Sequence, residues 1–244
     1  LALYLLFLAT LVSCSLVSKV AVKTTGSVIY QGSNELLREG NWEHFKNGTP
    51  ANLKLIEGLW YSDQENLELL TLLIKGYGAY AFGVAETEAL ADILLESEDV
   101  SLTHQTIMFY QKAIFYGEKY MNAKGIKTSD FWDKGFPEKL NKVFNKKMSD
   151  GDYVALFYFA QSLGSSINIQ REDLSKMAKM NHAIKTMNWV CKKAPSIERS
   201  GCDLYRAIMA SSLPSIMGGS QNKAKAILKK IMRGRPYELL AQQY

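Results

Sequence analysis

From Gly32 onward the apolar residues of this chain recur every three to four positions, and the two-residue alternation of a half-buried strand is almost absent. That regularity excludes sheet-based folds and leaves helices that bury their apolar faces on one another. The five prolines fall at the edges of periodic runs, where a missing N–H costs little. Thr49 reads as an N-cap and Pro50 as the first-turn proline of a helix over Ala51 to Tyr61. Asp63 opens the next helix, to which Leu67, Leu70, Leu73 and Ile74 give an apolar face. Further helices are expected over 101–122, 150–165, 171–193, 201–212 and 221–233. The expected fold class is all-α, built of antiparallel helical hairpins.

Internal repetition narrows the architecture. Ala183, Met187, Val190 and Pro195 obey a pattern of Ala, two apolar residues at helical spacing and a closing Pro, and Ala224, Leu228, Ile231 and Pro236 obey it again forty-one residues later. Weaker copies are Ala51, Leu55, Gly58 and Asp63, then Ala113, Gly117, Tyr120 and Gly125. A matching first helix contains Ala160, Leu163, Gly164 and Ile167, whose Leu-Gly pair offers a point of close approach. A small Ala lets two helices of a hairpin approach, and Pro ends the second. The pattern points to a degenerate, TPR-like α-solenoid occupying residues 32–244, with a generic helical bundle as the alternative.

The amino-terminal run from Leu1 to Val12 is too short to span a bilayer of about 30 Å as a helix but suits an export signal. It ends in Leu11-Val12-Ser13-Cys14, which is the form of a lipoprotein signal with lipid attached at Cys14. No basic segment or initiator Met precedes Leu1, so residues 1–13 read as an incomplete signal peptide, with 14–31 as a lipidated tether. Ser15, in place of an acidic residue, favours the outer over the inner membrane. Lys75 and its flanking Gly and Tyr residues interrupt the most apolar later segment, so no second membrane span is expected.

Export makes the compartment oxidising, and with Cys14 lipidated, Cys191 and Cys202 remain as candidates for a disulfide or as two separate thiols. The net charge of +5 is unevenly spread: up to residue 122 there are 8 Lys/Arg against 14 Asp/Glu, and afterwards 21 against 10. This asymmetry reads either as solvated helix faces or as a surface for an acidic partner or anionic headgroups, and export argues against a nucleic-acid partner. His44, His104 and His182 have no companions at ligand spacing, so no metal or other cofactor is expected. Phosphate loops and nucleophile motifs are missing from the sequence, and Glu57 and Glu86 read as solvated acids at helix edges. A non-enzyme is expected.

Binding is better motivated. Gly76, Tyr77, Gly78, Tyr80, Phe82 and Gly83 form a glycine-aromatic helical segment, and each interior Gly costs about 1 kcal/mol relative to Ala. That cost implies close backbone packing or approach by another chain. Tyr77, Tyr80 and Phe82, with Tyr153 and Phe157 from a second aromatic cluster, are the candidate lining of a partner or ligand groove; the alternative is that they fill space between helices. Exposed aromatic surface on a repeat protein also makes a homo-oligomer an expectation.

The block Pro50-Ala51-Asn52-Leu53-Lys54-Leu55-Ile56-Glu57-Gly58-Leu59-Trp60, followed by Gly76-Tyr77-Gly78-Ala79-Tyr80-Ala81-Phe82-Gly83, resembles the TRAP transporter T-component family. The lipid-attachment motif, Phe109-Tyr110-x-Lys112-Ala113 and Met217-Gly218-Gly219 extend the resemblance over about residues 11 to 235. It implies an exported lipoprotein of cryptic tetratricopeptide repeats. Such a protein would serve a tripartite ATP-independent periplasmic uptake system and bind its periplasmic solute-binding protein. A repeat-type envelope scaffold with no transporter link is the rival. The chain departs from the family pattern at Gln64, where proline is common, and it stops at Tyr244 in what reads as the start of another helix. The last hairpin is therefore expected to be missing, with the contacts it would make.

Overall fold

The computed structural model describes residues 19–33, 39–95, 100–133, 135–144, 148–212, 215 and 218–234, and no strand occurs among them. Cys14 and the signal lie outside the described residues, as do Met217 and Pro236. The chain divides into two compact units, residues 1–186 and 187–244.

The first unit is organised around one rod. Helix α3 (Leu67–Tyr80) runs through a π-helical segment (Ala81–Ala85) into α4 (Glu86–Leu94). Leu69, Leu70, Leu73 and Ile74 of α3 are fully buried, as is almost all of Tyr77. A helix apolar on every side must be covered on every side, and α2 (Trp42–Ser62), α5 (Val100–Ala123) and α8 (Asp150–Ile169) supply the cover. The rod Leu67–Leu94 is long and apolar enough to cross a membrane, with a mean hydropathy of 1.2 in its most apolar window, despite Lys75. This corrects the expectation that no later segment qualifies. Because 67% of that window is buried within the protein, the rod is a core helix here.

Glycines let the cover come close. A Cβ on Gly76 would stand 2.4 Å from the Leu53 side chain of α2, and one on Gly117 of α5 would stand 2.1 Å from the Phe159 ring of α8. At Gly76 and Gly117 the cost in helix propensity is therefore spent on backbone approach inside the unit, whereas a Cβ on Gly83 would meet nothing within 4 Å. Asp152, 1% exposed, fastens α5 to α8. It completes a capping box with Ser149 and accepts from Tyr120 and from Lys124, the latter at 2.8 Å. Burial opposes its charge, but Lys124, Tyr120 and the Ser149 backbone together hold its carboxyl below the usual range.

Several boundaries differ from the sequence reading, each for a local reason. Helix α2 begins at Trp42, with Asn41 accepting from the His44 N–H, so Pro50 lies inside the helix instead of opening it. Thr49 donates to the Phe45 carbonyl at 2.6 Å, beside the backbone bond that Pro50 cannot make. Asp63 ends α2, and Asn66, accepting from the Leu69 N–H at 3.1 Å, caps α3. Asp173 caps a short α9 (Leu174–Met177), which separates it from α10 (Met180–Lys193). Residues 19–33, most of them within the expected tether of 14–31, form helix α1, and Gly26 there is buried, a Cβ on it standing 3.1 Å from Leu69. Two further short helices, α6 (Thr128–Trp132) and α7 (Phe136–Val143), were invisible to periodicity. They wedge in Phe131, whose ring lies 4.7 Å from that of Phe136 and 5.0 Å from that of Phe159.

The repeat positions divide. Ala160, Leu163, Ile167 and Ala183 are buried, and a Cβ on Gly164 would meet that of Ala183 at 3.7 Å. Ala113, Gly117 and Tyr120 are buried as well. The copy at Ala51, Leu55 and Gly58 is not a packing motif, because those residues face solvent while Leu53, Ile56 and Trp60 face the core.

In the second unit α11 (Gly201–Ser212) packs on α12 (Gln221–Gly234), with Leu204, Ala207, Ala224 and Ile231 in its core. The Ser220 N–H donates to the Ala210 carbonyl at 2.7 Å where the chain returns. Cys191 and Cys202 are joined in a disulfide, their Cα atoms 5.7 Å apart. Between them Glu198 and Arg199 adopt left-handed backbone, with φ of 45° and 59°.

Two outcomes follow from this packing. Gly117→Ala lowers unfolding free energy by about 1–3 kcal/mol in urea denaturation despite its better helix propensity, because Phe159 has no room to yield. Reduction of Cys191–Cys202 lowers the stability of the second unit by about 2–3 kcal/mol, read as earlier loss of amide protection over 187–234 in hydrogen exchange under dithiothreitol.

Candidate functional site

Three of the segments that carry the family resemblance meet at one side chain. Glu57, on the α5 side of α2, receives Tyr77 Oη from α3 at 2.7 Å and Tyr116 Oη from α5 at 2.9 Å on Oε1. Lys112 of α5 donates to the same oxygen, and Lys54 donates to Oε2 at 2.7 Å. Lys112 also reaches Tyr77 Oη at 3.2 Å, with its ammonium 4.8 Å from that ring's centroid. Around the carboxylate, Tyr77 stacks on Tyr116 at 6.0 Å, and Trp60 meets Tyr116 edge-on at 5.2 Å. Trp60 in turn donates Nε1–H to the Gln64 carbonyl at 3.0 Å, which fixes the end of α2.

The electrostatics follow from these bonds. Burial disfavours the charged form of Glu57, but hydrogen bonds from Lys112, Lys54, Tyr77 and Tyr116 outweigh it and pull the carboxyl down to about 2. Burial first, then the neighbouring Glu57 charge, pushes both phenols of Tyr77 and Tyr116 well above the usual tyrosine range. A carboxylate this weakly basic is a poor general base at neutral pH, and phenols held neutral are poor nucleophiles. The arrangement clasps three helices. Glu57 is therefore not the solvated acid the sequence suggested. Glu86 is not solvated either: it follows the π-helical segment, accepts from Tyr110 Oη, and burial pushes its carboxyl up.

Next to the clasp, α2 and α3 border a cavity of about 200 Å³. Phe45, Leu53, Ile56, Leu72 and Tyr80 make its apolar wall, and His44, Asn52 and Lys75 also line it. Gly48 and Thr49, next to the internal Pro50, and Ala79 opposite leave this volume unfilled. The cavity is smaller than the ~300–1,000 Å³ of drug-sized sites, so it suits a small molecule or one inserted side chain.

The aromatic groove expected from the sequence is not an open face. Tyr77 is in the clasp, while Phe82 and Phe157 are buried, Phe157 edge-on to Tyr158 at 5.3 Å. Tyr153 is half-buried. Of the five rings, Tyr80 alone lines the cavity, packed edge-on to Phe109 at 4.9 Å. The physical reason is the all-round coverage of α3, which turns its rings into packing. Among the histidines, His44 lines the cavity, His104 is exposed, and His182 is buried with Nε2 at 3.2 Å from the Asp133 carbonyl. Among the described residues no cluster of His, Cys, Asp and Glu could hold a metal ion.

Exchanging Glu57 for Gln removes the charge that Lys112 and Lys54 share. The Glu57 carboxyl lies lower in the folded than in the unfolded protein, so its stabilisation is complete above about 4.5 and is lost as pH falls toward 2. Glu57→Gln is expected to cost about 1–3 kcal/mol at pH 7, and its deficit relative to wild type shrinks between pH 4.5 and 2 in urea titrations at stepped pH.

No curated protein matches the sequence. The sequence profile of the TRAP transporter T-component family matches residues 39–243, which includes the clasp, both walls of the cavity and the disulfide. By that match over most of its length, the chain belongs to the TRAP transporter T-component family.

Proposed function

We propose that this protein is the lipid-anchored accessory subunit of a TRAP-type uptake system and that it holds the periplasmic solute-binding protein near the membrane. The family match over residues 39–243 carries the reading. The geometry supports binding over catalysis, since its most connected polar site is an ion clasp of low reactivity beside a small, mainly apolar cavity. Transport energy would come from the membrane permease. In this reading the helices form a TPR-like array. The forty-one-residue spacing of the Ala183 and Ala224 motifs and the close approach of Gly164 to Ala183 support that view.

Cys14 supplies the anchor. Each buried acyl methylene adds about 0.8 kcal/mol, so two or three chains hold the protein firmly, and the Ser15 rule directs it to the outer membrane. Anchoring raises the local concentration of a bound partner without any new contact. The cavity would receive a small solute, or a side chain of the solute-binding protein.

Cys14→Ala leaves the fold intact and moves the protein to the soluble periplasmic fraction in high salt; retention with the bilayer would refute the anchor. Crosslinking of the full-length lipoprotein in intact cells, read by mass spectrometry, recovers the solute-binding protein of a TRAP-type system. Recovery of unrelated envelope proteins alone would favour a scaffold role instead.

A further inference from the structure

Gly58 has no explanation inside the chain. It sits in the interior of α2 on the exposed side, and a Cβ there would meet nothing within 4 Å. Its backbone has no positive φ, so neither a turn nor close packing accounts for a glycine that weakens the helix. Around it the surface is apolar and cationic. Tyr61, three residues on, is 76% exposed. Across the Glu57–Lys112 bond, α5 presents Met108, Lys112, Phe115 and Lys119 at i, i+4, i+7 and i+11, with Met108 61% and Phe115 45% exposed. Trp60 lies edge-on to Phe115 at 6.3 Å and joins the two helices into one strip, and within α5 the Lys119 ammonium stands 5.2 Å from the Phe115 centroid.

The charge of this strip does not cancel. Lys54 and Lys112 share the single carboxylate of Glu57, which leaves one positive charge over, and Lys119 adds a second. In a half of the chain where acids outnumber bases, these lysines have been collected around exposed apolar side chains. The α5 rungs span about 16 Å, three turns of a helix laid alongside, and a bare Gly58 allows such a helix to approach α2 closely.

We propose that the strip formed by Lys54, Gly58 and Tyr61 of α2 with Met108, Phe115 and Lys119 of α5 is the docking face for an acidic amphipathic helix of the solute-binding partner. The proposal rests on the function proposed above and names the surface and the partner chemistry. Apolar anchors on the partner would pack on Met108, Phe115 and Tyr61, and its carboxylates would meet the lysines.

The test uses the full-length lipoprotein and the purified solute-binding protein of its own transport system, with affinity measured by calorimetry at stepped salt. Gly58→Gln, Met108→Glu and Lys119→Glu each weaken binding at least tenfold while melting temperature stays within a few degrees; Gly58→Gln raises it. Wild-type affinity weakens steadily with salt, and hydrogen exchange in the complex slows over 54–61 and 104–119. Wild-type affinity in all three variants, or protection confined to other segments, would overturn the docking face and leave the proposed function standing. No binding by the wild type would overturn both. A face that instead binds phosphatidylglycerol–phosphatidylethanolamine vesicles, with loss in Lys119→Glu and no protein complex, would show a lipid surface and refute the proposal.

Discussion

Helix α3 has no side it can show to water, and the first unit is arranged to satisfy that demand. With Leu69, Leu70, Leu73 and Ile74 fully buried, α2, α5 and α8 must close around it. Close packing of helices needs small residues at the points of contact, which Gly76 provides toward Leu53 and Gly78 toward Ser162. The phenols that such a core traps are then bonded at its rim, Tyr77 and Tyr116 to Glu57 and Tyr120 to Asp152. Both carboxylates also hold a lysine, Lys112 within α5 and Lys124 just past its end, so the same charged groups that satisfy buried phenols fix the position of that helix against its neighbours.

The sequence made the class of fold readable because one period ran through it, and the strong repeat at Ala183 and Met187 falls on buried positions. What it hid depended on partners distant in sequence. Glu57 looks like a solvated helical acid until Tyr77, Lys112 and Tyr116, twenty to fifty-nine residues away, are placed beside it. A signal was present: three of the resemblance segments each contribute a polar residue, Glu57, Tyr77 and Lys112, that meets the other two. Pro50 misled for a related reason. Its expected role as a helix opener is a local rule, whereas Asn41 had already capped the helix two turns earlier. Helices α6 and α7 are too short to show a period, and their place depends on Phe131 packing against Phe159.

The candidate groove illustrates the limit of reading function from aromatic residues. Tyr77 and Phe82 were conspicuous because the glycines beside them weaken a helix, and Phe157 because it belongs to a second aromatic cluster, yet all three rings are buried in the interior. The cavity arises instead from what is small: Gly48, Thr49 and Ala79 leave room that Phe45, Ile56 and Tyr80 do not fill. Small residues are weak signals in a single sequence, because the same glycine can mark contact, as Gly117 does, or open space, as Gly58 does.

These features divide rigidity from recognition along α2. Its core-facing residues Leu53, Ile56 and Trp60 and the clasp at Glu57 hold it to α3 and α5. Its remaining faces carry the cavity beside Asn52 and, on the outside, Gly58 and Tyr61. A helix fixed this firmly can present a surface whose geometry is set before a partner arrives, which limits the ordering cost of association. The depressed Glu57 carboxyl makes that geometry independent of pH across the range where proteins usually work. An accessory protein in an exposed compartment gains from such a frame, since a clasp that stays ionised from neutral to mildly acidic pH keeps the α2–α5 strip and the α2–α3 cavity in register with the same core.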